Sequence, residues 1–188
     1  MSGRIVLLNG APRAGKSSIA RALQAHGDWL AFGVDAMMAM TPLPLLPGIG
    51  LRPGGEKPEL EDFVQRSYGA LFDALVGFAR NGLDVVSDVG LHDSYSRPLG
   101  IVAMAHEKLA GLPVLWVGVR CPIETIMARR NADPQGGHYA GGDTVPPPVQ
   151  RWQDSVHAGK TYDVEIDTSV LTPEQCAERI EAAFHKRG

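Results

Sequence analysis

Cysteine is scarce: the 188 residues contain two, Cys121 and Cys176, far apart in the chain. That excludes a disulfide framework and a cysteine metal cluster, and suits two buried thiols in a reducing compartment. A basic excess is also missing. Eighteen Lys and Arg face 21 Asp and Glu, a net charge of −3, which disfavours a dedicated nucleic-acid binder. No apolar run approaches the ~20 residues of a membrane span. The short apolar run that begins at Ile5 is cut off at Gly10 and has one arginine before it, so no signal peptide is read there. A cytoplasmic chain without membrane or nucleic-acid partners is expected. Six histidines, His92, His106 and His138 among them, show no metal-ligand spacing.

What is present alternates. Arg4–Asn9 is short, apolar and rich in β-branched residues, then stops at a Gly/Pro cluster, as a buried parallel strand does. Ser17–His26 has helical spacing. Trp29–Val34 is a second strand candidate, closed by Asp35. Glu59–Arg80 carries Phe63, Leu71, Leu75 and Phe78 on one stripe of a helix and ends at Asn81-Gly82. Leu83–Asp88 is a third strand, Tyr95–Leu109 a helix, Val114–Val119 a fourth strand and Ile123–Asn131 a helix. Val149–His157 is a short helix, Tyr162–Asp167 a fifth strand, and Thr172-Pro-Glu opens a final helix. Strands alternating with helices predict an α/β fold: three layers, one five-stranded parallel sheet flanked by helices, over residues 1–188 as one unit. Two stretches dense in Gly and Pro, 41–58 and 133–148, predict long loops of the functional kind.

Gly10-Ala11-Pro12-Arg13-Ala14-Gly15-Lys16-Ser17 fits the Walker A pattern of a P-loop. Glycines let successive N–H groups face one concavity that holds phosphate oxygens. Lys16 brings charge to the outer phosphates, the Ser17 hydroxyl can ligate magnesium, and the helix after it offers its positive end. The loop follows an apolar strand and opens a helix, which the pattern requires. ATP with Mg2+ is therefore expected on Gly10–Ser17 and Ser18.

Other candidates each have a plainer alternative. Asp88 ends the third strand, where P-loop proteins place an acid that helps hold magnesium; otherwise it caps a turn. Asp35 sits where a base for an attacking hydroxyl would be, or caps a helix near Ala36. Arg129 and Arg130 end a helix beside the second loop, and either serve a closing lid over 129–150 or are solvated. Arg120 ends the fourth strand and would lie against the nucleotide. Met37, Met38 and Met40 suit an adaptable apolar acceptor site or are core.

With these residues placed, the chain resembles the chloramphenicol phosphotransferase family of P-loop kinases. Four segments carry the likeness: Ile5–Ser17, Trp29–Asp35, Val114–Cys121 and Tyr162–Thr168. The resemblance implies a fold of the nucleotide-kinase type with an arginine-bearing lid. It implies an ATP-dependent kinase acting on a hydroxyl of chloramphenicol or a related compound. It implies Asp35 as the base, with Lys16 and Arg130 stabilising the transferring group. Ser87-Asp88 stands where the family ends this strand in two acids. The residues leave open a kinase for a sugar, nucleoside or nucleotide-sugar, a nucleotide-dependent switch without a small acceptor, and the oligomeric state.

Overall fold

In a computed structural model, residues 2–46, 53, 57–133, 142 and 144–186 are described. Five parallel strands form one sheet: β1 (Ile5–Asn9), β2 (Leu30–Ala31), β3 (Val85–Val89), β4 (Val114–Arg120) and β5 (Val164–Asp167). Their spatial order is β2-β3-β1-β4-β5. Seven helices accompany them among the described residues: α1 (Lys16–His26), α2 (Val34–Ala39), α3 (Glu61–Arg80), α4 (Ile101–Lys108), α5 (Ile123–Ala132), α6 (Pro147–Ser155) and α7 (Pro173–His185). The expected three-layer α/β architecture is therefore present.

The central strand shows why its sequence is apolar throughout. Side chains alternate across a strand, and here both faces are covered. Val6 and Leu8 join the core beneath α1 and α7, with Ile19, Leu23 and Ile180. Ile5 and Leu7 join the opposite core beneath α3 and α4, with Leu71, Phe72 and Leu75. All five residues of β1 are buried. Parallel pairing sets the ends of the strands level: Asn9 lies beside Val89 and Gly118. The loops that carry polar residues thus emerge at one edge of the sheet.

Boundaries differ from the expectation in three places. The helix expected from Tyr95 begins only at Ile101. Pro98 has no N–H to give, and Gly100 at φ +64° caps the helix start. The preceding loop is held instead by buried Glu61, which accepts from the Ser96 N–H at 2.8 Å and its hydroxyl at 2.5 Å. The second strand is two residues long, although the Phe32 N–H still donates to the Val86 carbonyl at 3.0 Å. Gly33 then caps α2, so Asp35 stands in the first turn of a helix and not at a strand end. The loop expected over 41–58 contains two single 3-10 turns, Leu43–Leu45 and Pro58–Leu60; residues 47–52 and 54–56 of it lie outside the described ones. At the other end, α7 begins as the sequence suggests. Thr172 and Gln175 form a reciprocal capping box.

Behind the site, a polar latch ties distant segments. The amide of buried Asn9 donates to the Val156 carbonyl at 2.9 Å and to the Tyr162 hydroxyl at 2.8 Å, and accepts from the Leu91 N–H at 2.6 Å. His157 Nδ1 meets the same Tyr162 hydroxyl at 2.8 Å. Burial, and then the charge of Arg120, lower the His157 pKa to about 4, from an ordinary 6.5. Between those values the unfolded chain takes a proton that the folded chain refuses, so stability falls on acidification through that window. His157→Gln is expected to flatten the fall of the melting temperature between pH 6.5 and 4. Equal slopes for the two proteins would remove His157 from the acid response.

Candidate active site

The loop between β1 and α1 is built by local rules. Gly15 takes φ +97°, a conformation open to glycine, and caps α1. No side chain caps this helix and no acid occupies its first turn. Its dipole and first N–H groups are thus directed to the loop's concavity, which suits an anion. Gly10 passes close to β4: a Cβ there would lie 2.5 Å from the Val119 carbonyl. Arg13 holds φ +67°, unusual for a residue with a side chain. It is fixed by Asp133 at the end of α5, through the carboxylate at 3.1 Å and the carbonyl at 2.6 Å.

A cleft of about 1190 Å3 opens over this loop. Gly10, Pro12, Arg13, Gly15, Lys16, Ser17 and Ser18 line it, together with Asp35, Asp88, Arg129 and Arg130. The expected phosphate, acid and lid residues are therefore brought to one hollow. Ala11 and Ala14 contribute only backbone, since their side chains are buried. Their carbonyls accept from Lys16 at 2.9 Å and from the Thr168 hydroxyl at 2.7 Å.

Lys16, Asp35 and Asp88 form the charged centre. The Lys16 ammonium donates to the carbonyls of Gly10 at 2.8 Å and Ala11 at 2.9 Å. Burial lowers its pKa, while Asp88 and Asp35 oppose that shift. Asp88 is pushed up to about 6, first by burial, then by the nearby charge of Asp35, with Lys16 acting the other way. The donor chemistry fits a hard divalent cation: one hydroxyl and carboxylate oxygens at the phosphate end of the cleft. Ser17 and Asp88 are the residues that would hold magnesium. Among the described residues no cluster of three His, Cys, Asp or Glu offers another metal site, and no helix is long and apolar enough to cross a membrane.

Gly33 explains the placement of the two acids. A Cβ on it would lie 2.0 Å from Asp88 Oδ1 and 2.5 Å from the Asp88 carbonyl. Its backbone angle is extended and any residue could adopt it, so the requirement is space. Gly33→Ala is expected to destabilise the fold by about 1–3 kcal/mol and to displace both acids. Denaturant unfolding measures this, and a midpoint equal to wild type would show that β2 and β3 separate easily.

The arginines sort themselves by their neighbours. Arg120 does not reach the cleft. It is exposed and pairs with Glu165 at 2.5 Å, because Asp167 stands beside it on β5 and Glu165 lies diagonally on the same face. The expectation that it lies against the nucleotide is corrected on this ground. Arg129 lines the cleft but also braces it, donating to the carbonyls of Arg13 at 3.2 Å and Thr168 at 2.6 Å and to the Thr168 hydroxyl at 3.1 Å. Arg130 lines the cleft one residue further along α5. Of the expected 129–150 lid, residues 134–141 and 143 lie outside the described ones, His138 among them. Met37 and Met38 line a small pocket between α2 and α3, whereas Met40 is 65% exposed.

Three participants are absent from the sequence reading: Asn9, Tyr68 and Trp152. A polar residue closing an otherwise apolar strand is the signal that marks Asn9. Asn9 stands behind the cleft, whereas Tyr68 and Trp152 line it, and nothing local distinguishes those two from core aromatics.

Comparison with known proteins agrees with this geometry. The chain is similar in structure to the Mycobacterium tuberculosis APS kinase CysC solved with AMPPNP and APS, at 15% identity and a TM-score of 0.63, over 98% of each chain. It is similar to shikimate kinase from Acinetobacter baumannii in complex with shikimate, at 17% identity and a TM-score of 0.65, over 100% of this chain and 95% of that one. A sugar kinase from Janibacter sp. is similar at 16% identity and a TM-score of 0.65, over 98% and 95%. At such identities the likeness is one of fold. No curated protein matches. The model of the chloramphenicol phosphotransferase-like protein family matches residues 3–185, nearly the whole chain. With a P-loop, an acid pair and the arginines of α5 in one cleft, the chain is a nucleotide-dependent kinase and belongs to the chloramphenicol phosphotransferase-like family.

Proposed function

We propose that the protein moves the γ-phosphoryl group of ATP to a hydroxyl of a small molecule, with chloramphenicol as the first acceptor to test. The observation that carries this reading is the meeting of Lys16, Asp35 and Asp88 at the phosphate loop, next to an apolar pocket bordered by Met37 and Met38. Phosphates lie along Gly10–Ser18, on backbone N–H groups and the positive end of α1. Asp35 orients the acceptor hydroxyl and takes its proton as the oxygen attacks the γ-phosphorus. The bond from that phosphorus to the bridging oxygen breaks, and ADP leaves with the electron pair. Lys16 and Arg130 balance the charge on the transferring group. Ser17 and Asp88 would hold magnesium, which would supply positive charge beside the phosphates. Most of the rate gain in such a site comes from positioning and fixed charge. One kinase unit over 1–188, a cytoplasmic home and an antibiotic-resistance role belong to the same proposal.

The test is ATP consumption by the purified protein with magnesium, with and without chloramphenicol, with products read by mass. One added phosphoryl group on the antibiotic would establish reaction and acceptor together. ATP binding without transfer to it would discard the antibiotic and send the search to other alcohols. Slow hydrolysis indifferent to every alcohol would favour a switch.

A further inference from the structure

Two hollows meet at α2. One is the phosphate cleft. The other lies between α2 and α3, where Val34, Met37 and Met38 face Phe63 and Leu71. Its volume is about 20 Å3, room for one small group. None of the described residues lining it carries a charge. Val34, Met38 and Tyr68 line both hollows. Of these three, Tyr68 alone has a polar side-chain atom.

Tyr68 is 3% exposed, and its ring stacks on Phe72 at 5.8 Å. Its hydroxyl donates to the Gly90 carbonyl across 3.4 Å, near the outer limit for such a bond. A hydroxyl can donate once and accept twice, so much of its capacity remains for a ligand. Burial, and then the charge of Asp88, raise the phenol pKa. The phenol therefore stays protonated, and its one proton, lent to Gly90 across a long bond, can turn to the acceptor's oxygen and leave that hydroxyl's own proton for Asp35.

We propose that Tyr68 binds the reacting hydroxyl of the acceptor at this junction, while the pocket behind it takes a small apolar group carried near that hydroxyl. The acceptor class that follows is an uncharged alcohol with an apolar neighbour to its hydroxyl. The carboxylate of a sugar acid finds no counter-charge among the described walls of this pocket. This inference rests on the kinase reading above and adds to it the residue that selects and aims the acceptor.

The experiment compares the wild type with Tyr68→Phe, which keeps the ring on Phe72. Chloramphenicol, shikimate and gluconate are offered in turn with ATP and magnesium. The expected result is that the wild type prefers chloramphenicol. Tyr68→Phe should lower kcat/KM for it by about tenfold or more, with KM for ATP and the melting temperature unchanged. A variant within twofold of wild type overturns the role of Tyr68 and leaves the kinase reading standing. Better transfer to shikimate or gluconate overturns the acceptor class alone. ATP consumption with transfer to none of the three overturns the acceptor class, while the kinase reading passes to other alcohols.

Discussion

Asp35→Asn is expected to slow phosphoryl transfer by about a thousandfold while ATP binds nearly as before. Gly33 caps α2 without a side-chain bond, so the carboxylate is not spent on its own helix. Asp35 is exposed at the first turn and lines the phosphate cleft. Asparagine keeps its size and can still accept a hydrogen bond, but it cannot take a proton. The charge change also has a sign. Asp35 repels Asp88, and the two together face an anionic nucleotide. Removing one negative charge favours ATP, so binding should hold or tighten as transfer collapses. Single-turnover transfer and calorimetric ATP binding separate the two effects. If ATP affinity dropped as steeply as transfer, Asp35 would belong to the nucleotide site and the base would be elsewhere.

How far the site could be read from the chain depends on where each residue's partners lie. The phosphate loop is legible because its parts are contiguous: an apolar strand, glycines at fixed offsets, then Lys16 and a helix. The sheet is legible because Ile5–Leu8 is apolar on both alternating faces, which only a buried parallel strand needs. Asp35 lines the cleft, but from the first turn of a helix and not from a strand end. The apolar run from Trp29 looks like a strand that continues to Val34, and the contact that ends it, Gly33 against Asp88, joins residues far apart in sequence. Arg120 and Arg129 look equivalent as arginines ending elements. Glu165 on the adjacent strand claims one, and the backbone of Arg13 and Thr168 holds the other at the cleft. Asn9 is the extreme case. Its three partners lie 82, 147 and 153 residues away, and no local pattern encodes them. Tyr68 is concealed differently: it keeps the helical spacing of a core residue, and its function lies in the one atom that departs from that pattern.

Lys16→Met is the second large effect, and it should separate function from stability. Transfer should fall by about a thousandfold, because a fixed cation aimed at developing charge is worth roughly a hundred- to a thousandfold in sites of this kind, and ATP affinity should fall with it. The melting temperature of the nucleotide-free protein should change little. Burial already disfavours the Lys16 charge, and methionine of similar length removes that cost. Against this stand two lost hydrogen bonds, to the Gly10 and Ala11 carbonyls, of about 1 kcal/mol each. The variant also takes away the one effect that lowers the Asp88 pKa from a neighbouring side chain. Asp88 should then titrate above its value of about 6, a shift that carbon-detected NMR of the carboxylates would report. A variant that melts far below wild type would show that Lys16 holds the loop together. A variant that keeps its ATP affinity would show that the loop binds phosphate by backbone alone. Loss of transfer and affinity with an intact fold and a raised Asp88 would place Lys16 where the sequence puts it: a cation held between two acids, whose charge is available to phosphate.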